Sequence, residues 1–187
     1  MTFAPLAFAL ASLQAEPPFP KAPLELPRLT DVEGRQYDVA AQKAAVLIFV
    51  STDCPIANRY LPEISNIYTV YKSKKVALFT VYVDADANVE QIRKHQKEYR
   101  VACPAILDSK HDLVHKIGAT VTPQAAVIDS QRRLVYRGRI DDGWSRHGSQ
   151  NDGEYRRDLR AALDELLAGK PITIRSTPAI GCFISDK

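Results

Sequence analysis

Apolar residues follow two periods along the chain, and the switch between them marks its elements. Residues 44–50 (AAVLIFV) form an unbroken apolar run, the length and composition of a strand buried on both faces. Residues 76–83 (VALFTVYV) predict a second such strand. Between them Leu61, Ile64, Ile67/Tyr68 and Tyr71 recur at the spacing of one helix face. That helix opens after Cys54 and ends near residues 72–75, where basic side chains suit a helix C-terminus. Residues 29–39 read as a short hairpin turning at Glu33-Gly34. A polar helix is expected over 88–100, a short strand over 103–107, and a short helix over 111–117 stopped by Gly118. Residues 124–128 and 133–137 predict a second hairpin, and residues 152–167 a final amphipathic helix ended by Gly169. This order predicts an α/β fold with a mixed central sheet, helices on both of its faces and an N-terminal β-hairpin.

The ends of the chain follow other rules. Residues 2–15 are apolar, uncharged and Ala-rich, and break into Glu16-Pro17-Pro18. They resemble the apolar region of a secretory signal with small residues near a cleavage point, although Pro5 interrupts the run and no basic start precedes it. A tail or short docking helix is the alternative. The run is too short to span a bilayer as a helix. The expected organisation is therefore a signal-like segment over 1–15, a Pro-rich linker over 16–26, one domain over 27–170 and an extended tail over 171–187 carrying Cys182. Export to a bacterial periplasm or cell envelope is the matching expectation.

Composition changes the picture little. Of 187 residues, 45% are hydrophobic and 25% charged, with a net charge of +3, as in ordinary globular proteins. The Lys/Arg blocks that bind nucleic acid or an anionic membrane surface are missing. The three cysteines matter more, because in an exported protein an odd number leaves one thiol unpaired or reactive.

Cys54 stands between the first apolar strand and the helix, in Ser51-Thr52-Asp53-Cys54-Pro55. Proline suits the first helical position, where an N–H would be unsatisfied anyway. Cys54 then caps the helix, and its sulfur meets unpaired backbone N–H groups and the positive end of the helix dipole, which favour thiolate. Arg59, little more than a turn on, adds positive charge, while Asp53 opposes it.

The strand running into Cys54, Pro62 eight positions into the helix and Thr122-Pro123 ahead of a strand resemble the thioredoxin-like superfamily over residues 24–170. The likeness is greatest to its redoxin branch, the alkyl hydroperoxide reductase/thiol-specific antioxidant proteins and their exported thiol–disulfide relatives. The segments TDCPIANRY (52–60), RGRIDD (137–142) and GCFI (181–184) resemble an uncharacterised bacterial redoxin subgroup. The resemblance implies a thioredoxin-like fold, with Thr122-Pro123 in the place of the superfamily's cis-proline against the active-site sulfur. It also implies a thiol-dependent oxidoreductase with Cys54 as nucleophile, acting by thiol–disulfide exchange or by reducing a peroxide as an antioxidant. Ala57 stands where a thioredoxin has its second cysteine, so a CxxC cycle is excluded. Ser51 matches a peroxiredoxin's hydroxyl position, Leu47 stands where its proline would be, and Arg137 or Arg139 is the candidate peroxide-polarising group.

A sulfenic acid or mixed disulfide at Cys54 needs a resolving thiol. Cys182 in the tail, eased by Gly181, and Cys103 at the opening of a short strand are the candidates within the chain. Pairing requires Cα atoms within about 7 Å. His111 and His115 stand four apart and can share a metal only with further ligands, and the CxxxC of copper-carrying relatives is absent because position 58 is Asn. No cofactor is implied. Asp141, Asp142 and Trp144 are candidate contacts for a partner. The expected partners are a thiol/disulfide redox protein or a small peroxide, without nucleic acid. The competing reading is a non-catalytic binding module for a partner protein or a metal.

Overall fold

The computed structural model describes residues 17–26, 28–143 and 155–185. Its centre is a five-stranded mixed sheet made of β3 (Ala44–Val50), β4 (Val76–Tyr82), β5 (Ala105–Leu107), β7 (Gln124–Asp129) and β8 (Leu134–Gly138), in the order β5-β4-β3-β7-β8. β3 runs parallel to β4 and antiparallel to β7.

All seven residues of β3 are buried, and they divide between the faces by the strand's period of two. Ala44, Val46, Ile48 and Val50 pack in one apolar cluster with Leu61, Ile64, Ile92, Leu159 and Leu163. Those partners belong to helices α1 (Pro55–Tyr71), α2 (Val89–Glu98) and α4 (Asp158–Leu167). Ala45, Leu47 and Phe49 face a second cluster with Leu113, Val114 and Ile117 of α3 (Asp112–Ile117) and with Leu24, Leu29 and Val39. Helices on both faces are the arrangement that two-sided burial of a central strand demands. Beside the sheet, β1 (Leu29–Thr30) and β2 (Gln36–Tyr37) form the expected hairpin.

α1 begins at Pro55 and ends at Tyr71, followed by a 3-10 turn over Lys72–Lys74. α2 starts after Asn88, which exchanges capping-box bonds with Gln91. Two boundaries depart from the sequence pattern. β5 starts at Ala105 rather than 103, because Cys103 and Pro104 lead into the strand. The last helix starts at Asp158, with residues 155–157 ahead of it non-helical, and residues 152–154 of the expected helix lie outside the described residues. Asp142 holds Arg156 on both sides, its N–H donating to Arg156 O at 3.1 Å and its carboxylate accepting from Arg156 N–H at 2.5 Å. That clamp keeps residues 155–157 out of the helix.

The tail does not hang free. Arg137 N–H donates to Arg175 O at 3.0 Å and Thr177 N–H to Arg137 O at 3.3 Å, so residues 175–177 lie along β8. Farther on, β9 (Cys182–Phe183) pairs antiparallel with β6 (Val121–Thr122), a two-stranded ribbon unseen in the apolar pattern.

Candidate active site

β3 and β4 run in parallel register, Val50 beside Tyr82, so their carboxyl ends open side by side, where α/β sheets place their ligands. The turn that leaves β3 is gripped there. Ser51 Oγ donates to Asp84 Oδ1 at 2.5 Å and Thr52 N–H to Asp84 Oδ2 at 3.0 Å. On the other side of the same residue, the Thr52 carbonyl accepts from Asn58 Nδ2 at 2.9 Å. Asn58 Oδ1 lies 3.0 Å from His95 Nε2, and His95 Nδ1 lies 3.0 Å from the Tyr82 hydroxyl. With its amide nitrogen given to Thr52, Asn58 has only an acceptor left for His95. The imidazole therefore carries its proton on Nε2 and accepts from Tyr82 at Nδ1. Burial lowers the His95 pKa, against the pull of Glu98, Asp84 and Asp53, and the neutral ring fits this network.

The gripped turn delivers Cys54 to the N-cap of α1, with Pro55 in the first turn and Ala57 N–H donating to Sγ at 3.4 Å. Cys54 is 1% exposed. Across from it the Thr122–Pro123 bond is cis, and in the thiol form Sγ–H donates to the Thr122 carbonyl at 3.0 Å. β9 sets Cys182 opposite Thr122. The approach is close at Gly181, where a Cβ would stand 1.9 Å from Thr122 O and 2.5 Å from its carbonyl carbon. Only glycine passes there.

Burial is the largest influence on the Cys54 thiol and opposes ionisation. Hydrogen bonds from the Cys182 thiol, the Thr122 side chain, the Ala57 N–H and the Cys182 N–H together outweigh it, and the pKa falls below the ordinary thiol value. Thr122 Oγ1 is buried without a hydrogen-bond partner among the described residues, which leaves it able to turn toward a thiolate at Cys54. Cys182 moves the other way. Burial first, then its bond to Cys54 and the Cys54 charge, push it up to about 11. Of the reduced pair Cys54 ionises first, and Cys182 keeps its proton to higher pH. Cys54, Cys103 and Cys182 are all free thiols.

The structure brings Cys54, Cys182, Thr122 and Pro123 together. The other sequence candidates lie elsewhere. Ser51 turns its hydroxyl to Asp84. Arg59 is exposed on α1 and is not among the groups that shift Cys54. Arg137 is 1% exposed on β8, where its guanidinium donates to Ile117 O at 2.8 Å and to Pro17 O and lies over the Phe19 ring. Arg139 binds Asp158 at 2.6 Å. Cys103 is buried beside Thr80. His111 bonds the Val83 carbonyl at 2.8 Å, and the described residues hold no group of three or more metal-ligating side chains. Asp141 accepts from the Tyr60 hydroxyl at 2.6 Å. Trp144 and the segment over 1–15 lie outside the described residues. Sequence reasoning missed Asp84, Asn58 and His95. The first had a signal, since two buried strands that end in register place residue 84 beside the Cys54 turn.

A mixed sheet of this order, with a thiol at a helix start facing a cis-proline, defines a thioredoxin-like thiol protein. The chain belongs to the Redoxin family, whose model matches residues 14–153. It is similar to an uncharacterized conserved protein of known structure from Geobacillus kaustophilus, with a TM-score of 0.75 and 26% identity, covering 93% of this chain and 94% of that one. Thiol-disulfide oxidoreductase ResA of Bacillus thuringiensis is 24% identical over 109 residues, 57% of this chain and 62% of the relative. Sporulation thiol-disulfide oxidoreductase A of Bacillus subtilis is 24% identical over 131 residues, 69% of this chain and 79% of the relative. The chain thus spans 62% of the length of the first of these curated relatives. None of the described helices is long and apolar enough to cross a membrane.

Proposed function

We propose that the protein is an exported thiol–disulfide oxidoreductase in which Cys54 is the nucleophile and Cys182 the second thiol. The observation that carries this reading is the pairing of β9 with β6, which sets the Cys182 thiol and N–H against a Cys54 of lowered pKa. Cys54 thiolate attacks one sulfur of a partner's disulfide. That S–S bond breaks, and the other partner sulfur leaves as thiolate and takes a proton from water. With Cys54 bound in the mixed disulfide, its charge no longer holds up the Cys182 pKa, so Cys182 ionises more readily. Cys182 then attacks Cys54 Sγ and releases the partner's second thiol. The partner disulfide is reduced to two thiols, and Cys54 and Cys182 are oxidised to one disulfide. The reverse sequence oxidises a dithiol.

Peroxide reduction has less support, because the Ser51 hydroxyl is engaged by Asp84 and the Arg137 guanidinium by the Ile117 and Pro17 carbonyls. The apolar run over 2–15 supports export. The test is equilibration in a glutathione redox buffer followed by mass spectrometry, with turnover of a peptide disulfide measured alongside. A Cys54–Cys182 link and turnover lost in Cys54→Ser are expected. A chain that links Cys54 to Cys182 with hydrogen peroxide but never with a disulfide substrate would establish the peroxidase instead. A Cys54 that titrates like a free thiol and exchanges with neither would leave a binding module.

A further inference from the structure

The tail's hold on the site has an unusual division of labour. β9 is attached through its backbone: Cys182 and Phe183 pair with Thr122 and Val121, and Ile184 N–H donates to Thr120 O at 2.9 Å. Of its side chains, Phe183 is 80% exposed and Cys182 is exposed beside Cys54, while Ile184 rests half-buried against the second apolar cluster. Backbone pairing along a strand edge is indifferent to side chains, so another extended chain can make the same bonds. Upstream the tail is fixed independently. Thr177 is 3% exposed, its Oγ1 lies 2.8 Å from the Tyr136 hydroxyl and accepts from Arg139 N–H at 3.0 Å, and its backbone lies against Gly138. Residues 178–180 bridge this anchor and β9, so residues 181–184 can leave β6 while the tail stays tethered.

One position on this edge reads sequence. The residue before the cysteine passes so near Thr122 that a Cβ would enter its carbonyl, and the obstacle is backbone rather than the movable end of a side chain. The Cys182 backbone, paired with Thr122 beside Cys54, belongs to this same path and is supplied by any cysteine in that register.

We propose that the Val121–Thr122 edge is a docking strand whose resident ligand is the chain's own Gly181–Ile184 segment, and that the outside partner it admits is an extended polypeptide with glycine directly before its cysteine. The proposal rests on the thiol–disulfide reading of Cys54 and names its substrate class. A partner disulfide enters where Cys182 lay, and Cys54 attacks its cysteine sulfur. The displaced tail, held nearby by its anchor, returns at high effective concentration. As it retakes the edge, Cys182 attacks Cys54 Sγ and the partner cysteine leaves as thiolate. Two electrons pass from Cys54 and Cys182 to the partner disulfide.

The test separates docking from chemistry by using full-length chain with Cys54→Ser, in which no exchange can occur. Fluorescently labelled Ala-Gly-Cys-Phe-Ile and Ala-Val-Cys-Phe-Ile peptides, kept reduced, are titrated against it by anisotropy. The same titration is made with Gly181→Val added, which expels the resident segment, and with Ile184→Pro added, which removes its bond to Thr120. The glycine peptide is expected to bind both double variants about tenfold more tightly than it binds the chain with its tail in place, and the valine peptide to bind none of the three. Equal binding of the two peptides would overturn the glycine requirement. Binding of the glycine peptide that neither tail substitution improves would overturn the resident ligand. Absence of disulfide exchange by the native chain would instead overturn the function proposed above, and these binding results would stand.

Discussion

Cys54 and Cys103 are both followed by proline, both buried, at 1% and 2% exposed, and both part of the apolar cluster on the same face of the sheet. Their thiols nevertheless move in opposite directions. At Cys103 burial pushes the pKa up to about 11, and the Thr80 hydroxyl at 4.0 Å offers little relief. At Cys54 burial pushes the same way, but four donors converge on the sulfur and the net shift is downward. The prolines explain part of the difference, the tail and β6 the rest. Pro55 opens a helix, whose first N–H groups have no partners of their own and turn toward Cys54. Pro104 leads into β5, where the backbone is used by the sheet, and its carbonyl accepts from Thr80 N–H at 3.0 Å. A buried thiol is reactive or inert according to what its neighbouring backbone has left to give.

The most forceful way to break this comparison is to remove each sulfur in turn. Cys54→Ser is expected to reduce turnover of a peptide disulfide to the uncatalysed background, while Cys103→Ser stays within about twofold of the native rate. Comparable losses in two folded variants would erase the distinction. The pH profile of alkylation is the next strongest test. Only thiolate reacts, so a lowered pKa brings reaction on at lower pH. The Cys54 midpoint is expected below the reference of about 8.5, with Cys103 reacting only toward pH 11. Cys182→Ala removes a donating thiol at Cys54, and alkylation of Cys54 near pH 7 is expected to slow about tenfold.

Cys103 supplies a smaller effect, read as stability. Its folded pKa lies above that of the unfolded chain, so its contribution is complete below the unfolded value and is lost as pH rises through the folded value of about 11. Cys103→Ala has no such group to lose. Urea titrations of native chain and variant should therefore converge with rising pH, by about 1 kcal/mol near pH 9.5. The raised tyrosines Tyr60 and Tyr71 are common to both proteins and cancel in the difference, whereas Tyr82 is held up in part by Cys103 itself and belongs to the effect being measured. A gap constant from pH 7 to 10 would show that Cys103 is not shifted upward.

Much of this contrast was legible in the sequence, and the reason is locality. An apolar run, then Cys-Pro, then a helical period fixes where the Cys54 sulfur points, because strand, cap and first turn are neighbours in the chain. The same rule read 103–107 as a strand and left Cys103 buried. What the sequence could not supply came from contacts across the fold. Asp84 and His95 reach the Cys54 turn only because β4 and α2 are laid beside it. Arg137 has the charge to attract a peroxide, yet its place on β8 sends it to the carbonyls of Ile117 and Pro17. The pairing of β6 with β9 involves two residues on each side, too few for any period to show. Gly181 alone marked that the tail had somewhere narrow to pass.

Thr122 gives the finest test, because its residue touches Cys54 in two opposed ways. The carbonyl, 3.0 Å from Sγ, accepts from the thiol and favours the protonated form. The hydroxyl, buried without a hydrogen-bond partner among the described residues, is one of the groups that lower the Cys54 pKa and so favours ionisation. Thr122→Val keeps the carbonyl, the β-branched shape that suits β6 and the pairing with Cys182, and removes only the hydroxyl donor. Alkylation of Cys54 near pH 7 is expected to slow by about threefold, with the midpoint moved to higher pH by about half a unit. The rate above the midpoint should not change, because the thiolate's access is the same. Thr122→Ser, which keeps the hydroxyl, should restore the native midpoint. A midpoint that ignores both substitutions would assign the lowered pKa to the Ala57 N–H and to Cys182 alone. The contrast with Cys103 would then rest on the helix start and the tail, with β6 contributing only the strand on which the tail is held.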